Sequence, residues 1–233
     1  MRFQSVLRVT VLGVAMVAGA AGAQTQTTAA PPRWSVDSGL TVGDGANVVR
    51  AQVAWPGLWL DYVHGLGSDF DIGGRLAMNW GGPAGEVNYC FGAFGVTGCG
   101  GSNFNFDFQL LLRKQIADFG RLKLAGTFNP GFILFTQGSL TGINLPVGVQ
   151  LGIPFNDQLI FNASFELPMY LSFGNGQTNF TIPLLFGGGA EYAVMPELLV
   201  TFKLALGPSI PTASGTSTTF ALQSLLGVAY KFK

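Results

Sequence analysis

Residues 158–173 read QLIFNASFELPMYLSF, and every second residue from Leu159 to Phe173 is apolar. The interleaved positions, among them Gln158, Asn162, Ser164, Glu166, Tyr170 and Ser172, are mostly polar. A period of two sustained over so long a run is a β-strand, because a helix brings the same face round only every 3.6 residues. The strand has one wet face and one apolar face, and what the apolar face touches decides the class of fold.

The alternation recurs along the chain. FDIGGRLAMNW sets Phe70, Ile72, Leu76, Met78 and Trp80 against Asp71, Arg75 and Asn79. FNFDFQLLLRKQI sets Phe104, Phe106, Phe108, Leu110 and Leu112 against Asn105, Asp107, Gln109 and Arg113. INLPVGVQLGI, LLVTFKLAL and FALQSLLGVAYKF behave alike, and stretches 121–135 and 180–194 follow with more small residues. WSVDSGLTV (34–42) alternates weakly. Residues 47–64 alternate with a slip of parity at Trp55-Pro56-Gly57, which reads as a bulge. With 34–43 as the first strand, about ten are expected, and eight or twelve stay open. Short turns at 65–69, 117–120, 154–157 and 195–197 alternate with longer polar links at 81–103, 136–142, 174–179 and 208–217.

Charge settles which face is wet. Charged residues make up 10 % of the chain, against about 25 % in a soluble domain, too few to cover an exterior. The polar set contains Asp71, Arg75, Asp107, Arg113, Arg121, Lys123, Glu166, Glu191 and Lys203. The apolar set holds almost none; Lys114 is an exception beside a short turn, from where it can snorkel. The apolar rows therefore face lipid and the charges fill an interior. Aromatics near the strand ends, such as Tyr192 and Tyr230 by the short turns and Trp80 and Phe173 by the long links, fit two interfacial girdles. The expected fold class is an all-β, transmembrane, antiparallel up-and-down barrel.

The N-terminus fits export. Arg2 and Arg8 precede a short apolar run that ends in Ala21-Gly22-Ala23, the form of a secretory signal peptide over 1–23. Residues 24–33 then form an N-terminal periplasmic segment and 34–233 the barrel domain. After the signal, no uninterrupted apolar run is long enough for a helical span. Ten basic residues then face twelve acidic ones, and no basic stretch points to nucleic acid. Cys90 and Cys99 lie in a Gly-rich link; an even count in an exported chain favours a disulfide, and two Cys without a nearby His are too few ligands for zinc.

These features resemble those of small Gram-negative outer-membrane β-barrel proteins. The closing LLGVAYKF is similar to their C-terminal assembly signal through Leu226, Val228, Tyr230 and Phe232, although Lys233 displaces the aromatic from the last position. The resemblance covers the mature chain at the level of pattern and singles out no one family. It implies residence in the cell outer membrane, contact with its lipids and handling of the closing strand by the barrel-assembly machinery.

The interior has two expected zones. The lower lumen carries the charge network Asp71, Arg75, Arg113, Lys123, Glu191 and Lys203, with Glu166 at mid-height. The upper lumen carries Ile133, Phe135, Pro146, Pro168, Tyr170, Pro183 and Ala205, a more apolar cup suited to a small apolar ligand. Pro56, Pro130, Pro146, Pro168, Pro183 and Pro208 all fall near one height, the outer membrane boundary. Either the strands fray there into water, or missing ladder bonds open gaps in the wall.

Chemistry is weakly signalled. The lone His64 sits beside a short turn with no Ser or Asp in recognisable relation. FGGGAEY lacks the Lys and the helix of a phosphate loop. No enzyme, cofactor or metal is expected. Ten strands also enclose too little space for a diffusion porin, which needs about 16–18. The readings left are a structural or surface-interaction barrel, a narrow conduit or binding cup for small apolar solutes, and, last, a lipid-modifying enzyme.

Overall fold

The computed structural model describes residues 34–80, 104–136, 141–174, 177–212 and 218–233. The expected signal peptide, segment 24–33, Cys90 and Cys99 lie outside the described residues. The described chain forms twelve strands: β1 (Asn47–Trp55), β2 (Gly57–Gly65), β3 (Phe70–Asn79), β4 (Asn105–Asp118), β5 (Lys123–Phe128), β6 (Gly131–Phe135), β7 (Thr141–Pro154), β8 (Leu159–Gly174), β9 (Gln177–Pro183), β10 (Leu185–Met195), β11 (Leu198–Pro211) and β12 (Thr219–Phe232).

These strands make ten staves, because β5 with β6 and β9 with β10 are each one stave interrupted at a proline. Each stave runs antiparallel to the next. β1 then pairs with β12 from Asn47 opposite Phe232 to Trp55 opposite Ser224, which closes the sheet. Both described termini lie at one end, the base, with the short turns; the opposite end is the rim.

The count of ten agrees with expectation, but its composition differs in two places. Residues 34–43 are not a strand; they cross the base inside the barrel. Residues 47–64 are not one bulged strand but a tight hairpin, β1 and β2, with Val53 opposite Leu58. Partners in this hairpin have opposite parity, so β1 buries Val48, Arg50 and Gln52 while β2 buries Trp59, Asp61 and Val63. A turn and a bulge leave the same parity slip in a sequence. The Trp55–Pro56 bond in this turn is cis.

Elsewhere the faces follow the alternation. In β11, Leu199, Thr201, Lys203, Ala205 and Ser209 are buried, whereas Phe202, Leu204, Leu206 and Ile210 are exposed. The exposed large side chains continue around the wall through Val49, Leu60, Leu76, Leu110, Val149, Phe186 and Val228. Buried positions include Arg50, Asp61, Asp71, Arg113 and Glu191. The polarity of a soluble barrel is thus inverted.

A wall of this kind is stable only against hydrocarbon. Leu204→Arg places a cation at mid-height of the outer face and is expected to cost about 2–4 kcal/mol in vesicles, against about 0–1 kcal/mol for Leu198→Arg near the base. Urea titration of the two variants refolded into the same lipid checks the difference.

Candidate functional site

The lumen is blocked at its base by residues 34–46, a strap that runs from wall to wall. Trp34, Val36, Val42 and Ala46 are buried and cluster with Val48, Val63, Leu199 and Ala229 of the wall. Around that apolar floor, wall side chains supply partners for the strap's backbone. Glu191 accepts the N–H groups of Val36 and Asp37 at 2.9 and 3.0 Å, and the Ser35 hydroxyl also donates to it. Arg113 donates to the Ser35 carbonyl at 2.7 Å, and Asp71 accepts from the Val42 N–H at 3.2 Å. The Trp34 indole donates to the Pro196 carbonyl at 2.8 Å.

Two glycines let the strap approach the wall. A Cβ on Gly39 would lie 2.0 Å from the Lys123 carbonyl oxygen, and one on Gly152 would lie 2.7 Å from Ser38. Both approaches are closer than any side chain permits, so the strap is fitted to these staves.

Most of the enclosed charge is compensated in ion pairs, whereas Glu191 and Asp107 are held by hydrogen bonds. Arg50 meets Asp37 of the strap at 2.6 Å and Asp61 at 2.5 Å. Asp61 also accepts from Arg75 at 2.8 Å, and the Arg75 guanidinium lies 4.3 Å over the Trp59 ring. Arg113 meets Asp71 at 2.5 Å, and Lys203 meets Glu166 at 2.6 Å. A charge in such a site that loses its partner costs about 3–5 kcal/mol, which makes the pairing obligatory rather than decorative.

Of the expected network, Asp71, Arg75, Arg113, Glu166, Glu191 and Lys203 point into the lumen. Lys123 does not join them; it pairs with Asp118 at the more exposed base rim. Its parity is inward, but it opens its strand beside a turn, where a long side chain swings back toward water. Asp37, Arg50 and Asp61 are the members that the sequence did not single out. Arg50 and Asp61 sit on the two arms of the hairpin that had been read as one strand.

Above the strap the lumen narrows to a cavity of about 80 Å³, bounded by Asp37, Arg75, Thr127, Gln150, Pro146 and Pro168. Of the expected cup, Ile133 is fully buried, while Phe135 and Tyr170 are half-buried toward the rim. Leu185, Ala205 and Ala221 form an apolar wall. The opposite wall is polar. The Trp59 indole donates to Asn79 at 2.8 Å, Asn79 to Asn105 at 3.0 Å, and Gln109 to Asp107 at 2.6 Å. Leu185, Ala205, Ala221, Asn79 and Asn105 have no exposed surface, so this part of the lumen is packed rather than open. His64 lies outside the lumen, 2.9 Å from the Asn47 side chain, which also accepts from the Tyr62 hydroxyl.

Glu191→Ala removes the acceptor that anchors the strap. Hydrogen exchange at the Val36 and Asp37 amides is expected to rise at least a hundredfold in this variant, while amides of the β11–β12 ladder stay protected. Exchange followed by mass spectrometry or NMR checks it.

No family model and no curated protein matches the sequence. Solved structures to which the chain is similar are outer-membrane β-barrels. One is the KdgM porin in complex with disordered oligogalacturonate, at 8 % identity and TM-score 0.42, over 81 % of this chain and 99 % of that one. Another is the outer membrane protease OmpT from Escherichia coli, at 8 % identity and TM-score 0.44, over 81 % and 94 %. A third is Ail, the attachment invasion locus protein of Yersinia pestis, at 11 % identity and TM-score 0.26, over 81 % and 99 %.

Proposed function

We propose that this chain is an integral outer-membrane barrel that holds a small amphiphilic solute in a cup above a sealed periplasmic base. The membrane setting is supported by the outer face, where Val53, Leu60, Phe132, Phe186, Leu226 and Val228 stand exposed around the circumference. An apolar belt of that extent is stable in hydrocarbon and unstable in water.

The observation that carries the functional reading is the strap. It bonds to side chains of β1, β3, β4 and β10, so it spans the bore rather than lining one side. Free passage of water and ions from end to end would need those bonds to break together. The space that remains lies above the strap, bounded by Pro146, Pro168, Thr127 and Gln150 and by the paired charges of Arg75, Glu166 and Lys203. That lining suits a small solute whose polar atoms meet the paired charges and whose apolar part rests on the two prolines. The ion pairs then serve as the floor of the cup rather than as a selectivity filter.

Planar-bilayer recording separates a cup from a channel. The wild-type protein is expected to show no open steps of porin size, whereas Glu191→Ala combined with Arg113→Ala frees the strap and brings current. A large ohmic conductance from the wild-type barrel would overturn the sealed base.

A further inference from the structure

Among the described residues, the hydrogen-bond ladder fails completely at one seam of the wall. Five consecutive staves carry a proline at closely matched register. Pro146 sits opposite Pro168, while Pro183 pairs with Ser209, the neighbour of Pro208. Three of these prolines keep half of their bonding. The carbonyls of Pro130, Pro146 and Pro208 accept from the N–H groups of Leu110, Asn129 and Leu184, each at 2.8 Å. In an antiparallel ladder a bonded pair exchanges two N–H···O bonds, so each of these sites loses one and retains one.

Pro168 and Pro183 differ. Pairing of β8 with its neighbouring stave runs in a single register, Glu166 opposite Leu185 below and Tyr170 opposite Thr181 above. That register sets Pro168 opposite Pro183. The Ala193 N–H donates to the Gln158 carbonyl at 2.7 Å in the same ladder, so even-numbered residues of β8 and odd-numbered residues of β9 and β10 turn their backbone groups toward this seam. Pro168 and Pro183 thus hold both places of one doubly bonded pair, and neither has an N–H to give. No pairing joins Leu167–Met169 to Ile182–Leu184. The bonds that bracket the gap are about 13 Å apart along the strands, twice the ordinary spacing.

The gap joins the largely polar lumen cavity to an apolar outer face. On the inside, Pro168 lines the lumen cavity together with Pro146, Glu166 and Lys203. On the outside, Leu167, Met169, Ile182 and Leu184 cover it, all apolar. Pro168 stands about nine residues along β8 from the base, which in a tilted strand is about 23 Å, near the outer edge of a band about 25 Å tall.

We propose that this seam is a lateral portal, through which a slender neutral amphiphile passes between the outer leaflet and the lumen. The proposal rests on the reading of the lumen as a cup. The ligand is slender because the cavity measures about 80 Å³, enough for a compact polar head and not for a fused ring system. Its polar head is uncharged because the cations that line the cavity are already paired, Lys203 with Glu166, Arg50 and Arg75 with Asp61, and Arg113 with Asp71. With no bond to break between Pro168 and Pro183, the two staves part by bending about the pairs above and below.

The test places a thiol in the cavity. Thr127→Cys in a C90S/C99S background lines the lumen from β5. In lipid vesicles it is challenged with N-dodecylmaleimide, which resides in the membrane, and separately with a water-soluble trimethylammonium thiosulfonate. Adding P168A/P183A restores two N–H groups and completes the ladder. The maleimide is expected to label Cys at position 127 at least tenfold more slowly in that variant, with a Phe165→Cys control on the outer face unchanged. If the restored variant does not fold, a Leu167→Cys/Leu184→Cys cross-link across the seam serves instead, with labelling at position 127 read by peptide mass before and after reduction. Equal maleimide rates with the seam open and sealed overturn the portal and leave the cup standing. So does labelling by the water-soluble reagent alone. Failure of both reagents to reach position 127 with the seam open refutes the cup, and the portal with it.

Discussion

The closed backbone ladder is the constraint from which the rest of this structure follows. In hydrocarbon no water is at hand to satisfy an N–H or a C=O, and each one left free costs several kcal/mol. A sheet escapes that cost only by joining its first strand to its last, as β1 joins β12 here. Closure creates an inside. Alternation sends one face of every stave there, so a sequence with apolar rows outward must carry its polar rows inward. Enclosed charges then need partners, and Asp37, Arg50, Asp61 and Arg75 form one connected chain for that reason.

Much of this was legible in the sequence, because period-two alternation reports face directly. The inward residues of β8, from Ile160 through Glu166 and Pro168 to Ser172, are those that parity assigned. Parity fails where the chain reverses. The four-residue turn at 54–57, between Val53 and Leu58, exchanges the two faces, as a bulge would, so alternation alone does not mark Arg50 and Asp61 as inward neighbours although they pair directly across β1 and β2. The alternation of WSVDSGLTV also had another cause. Trp34, Val36 and Val42 bury themselves in the floor, while Ser35, Asp37 and Ser38 bond to the wall and to one another. A strap between an apolar floor and a polar wall meets two environments in turn, as a strand does.

The partners of Glu191 could not be read at all. Its inward parity was plain, but the Val36 N–H that it accepts is 155 positions away in sequence. No local pattern encodes a contact of that separation; it exists only once the barrel is closed and the strap is drawn across it. The same holds for the proline row. Its common height could be counted from the turns, but that Pro168 and Pro183 spoil both halves of one bonded pair depends on the register of β8 against β9 and β10.

Floor and seam bound the same cavity, which Asp37 of the strap and Pro168 of the wall both line. Their resistance to opening is very different. The floor is tied by charge-assisted bonds at Arg50, Asp71, Arg113 and Glu191, and by apolar packing beneath Trp34 and Val42. The seam is tied by nothing across Pro168 and Pro183 and is bordered by staves that have each lost part of their ladder. Local opening follows the path that breaks the fewest bonds. A solute that strains this cavity from within therefore meets a wall that yields sideways long before the base gives way.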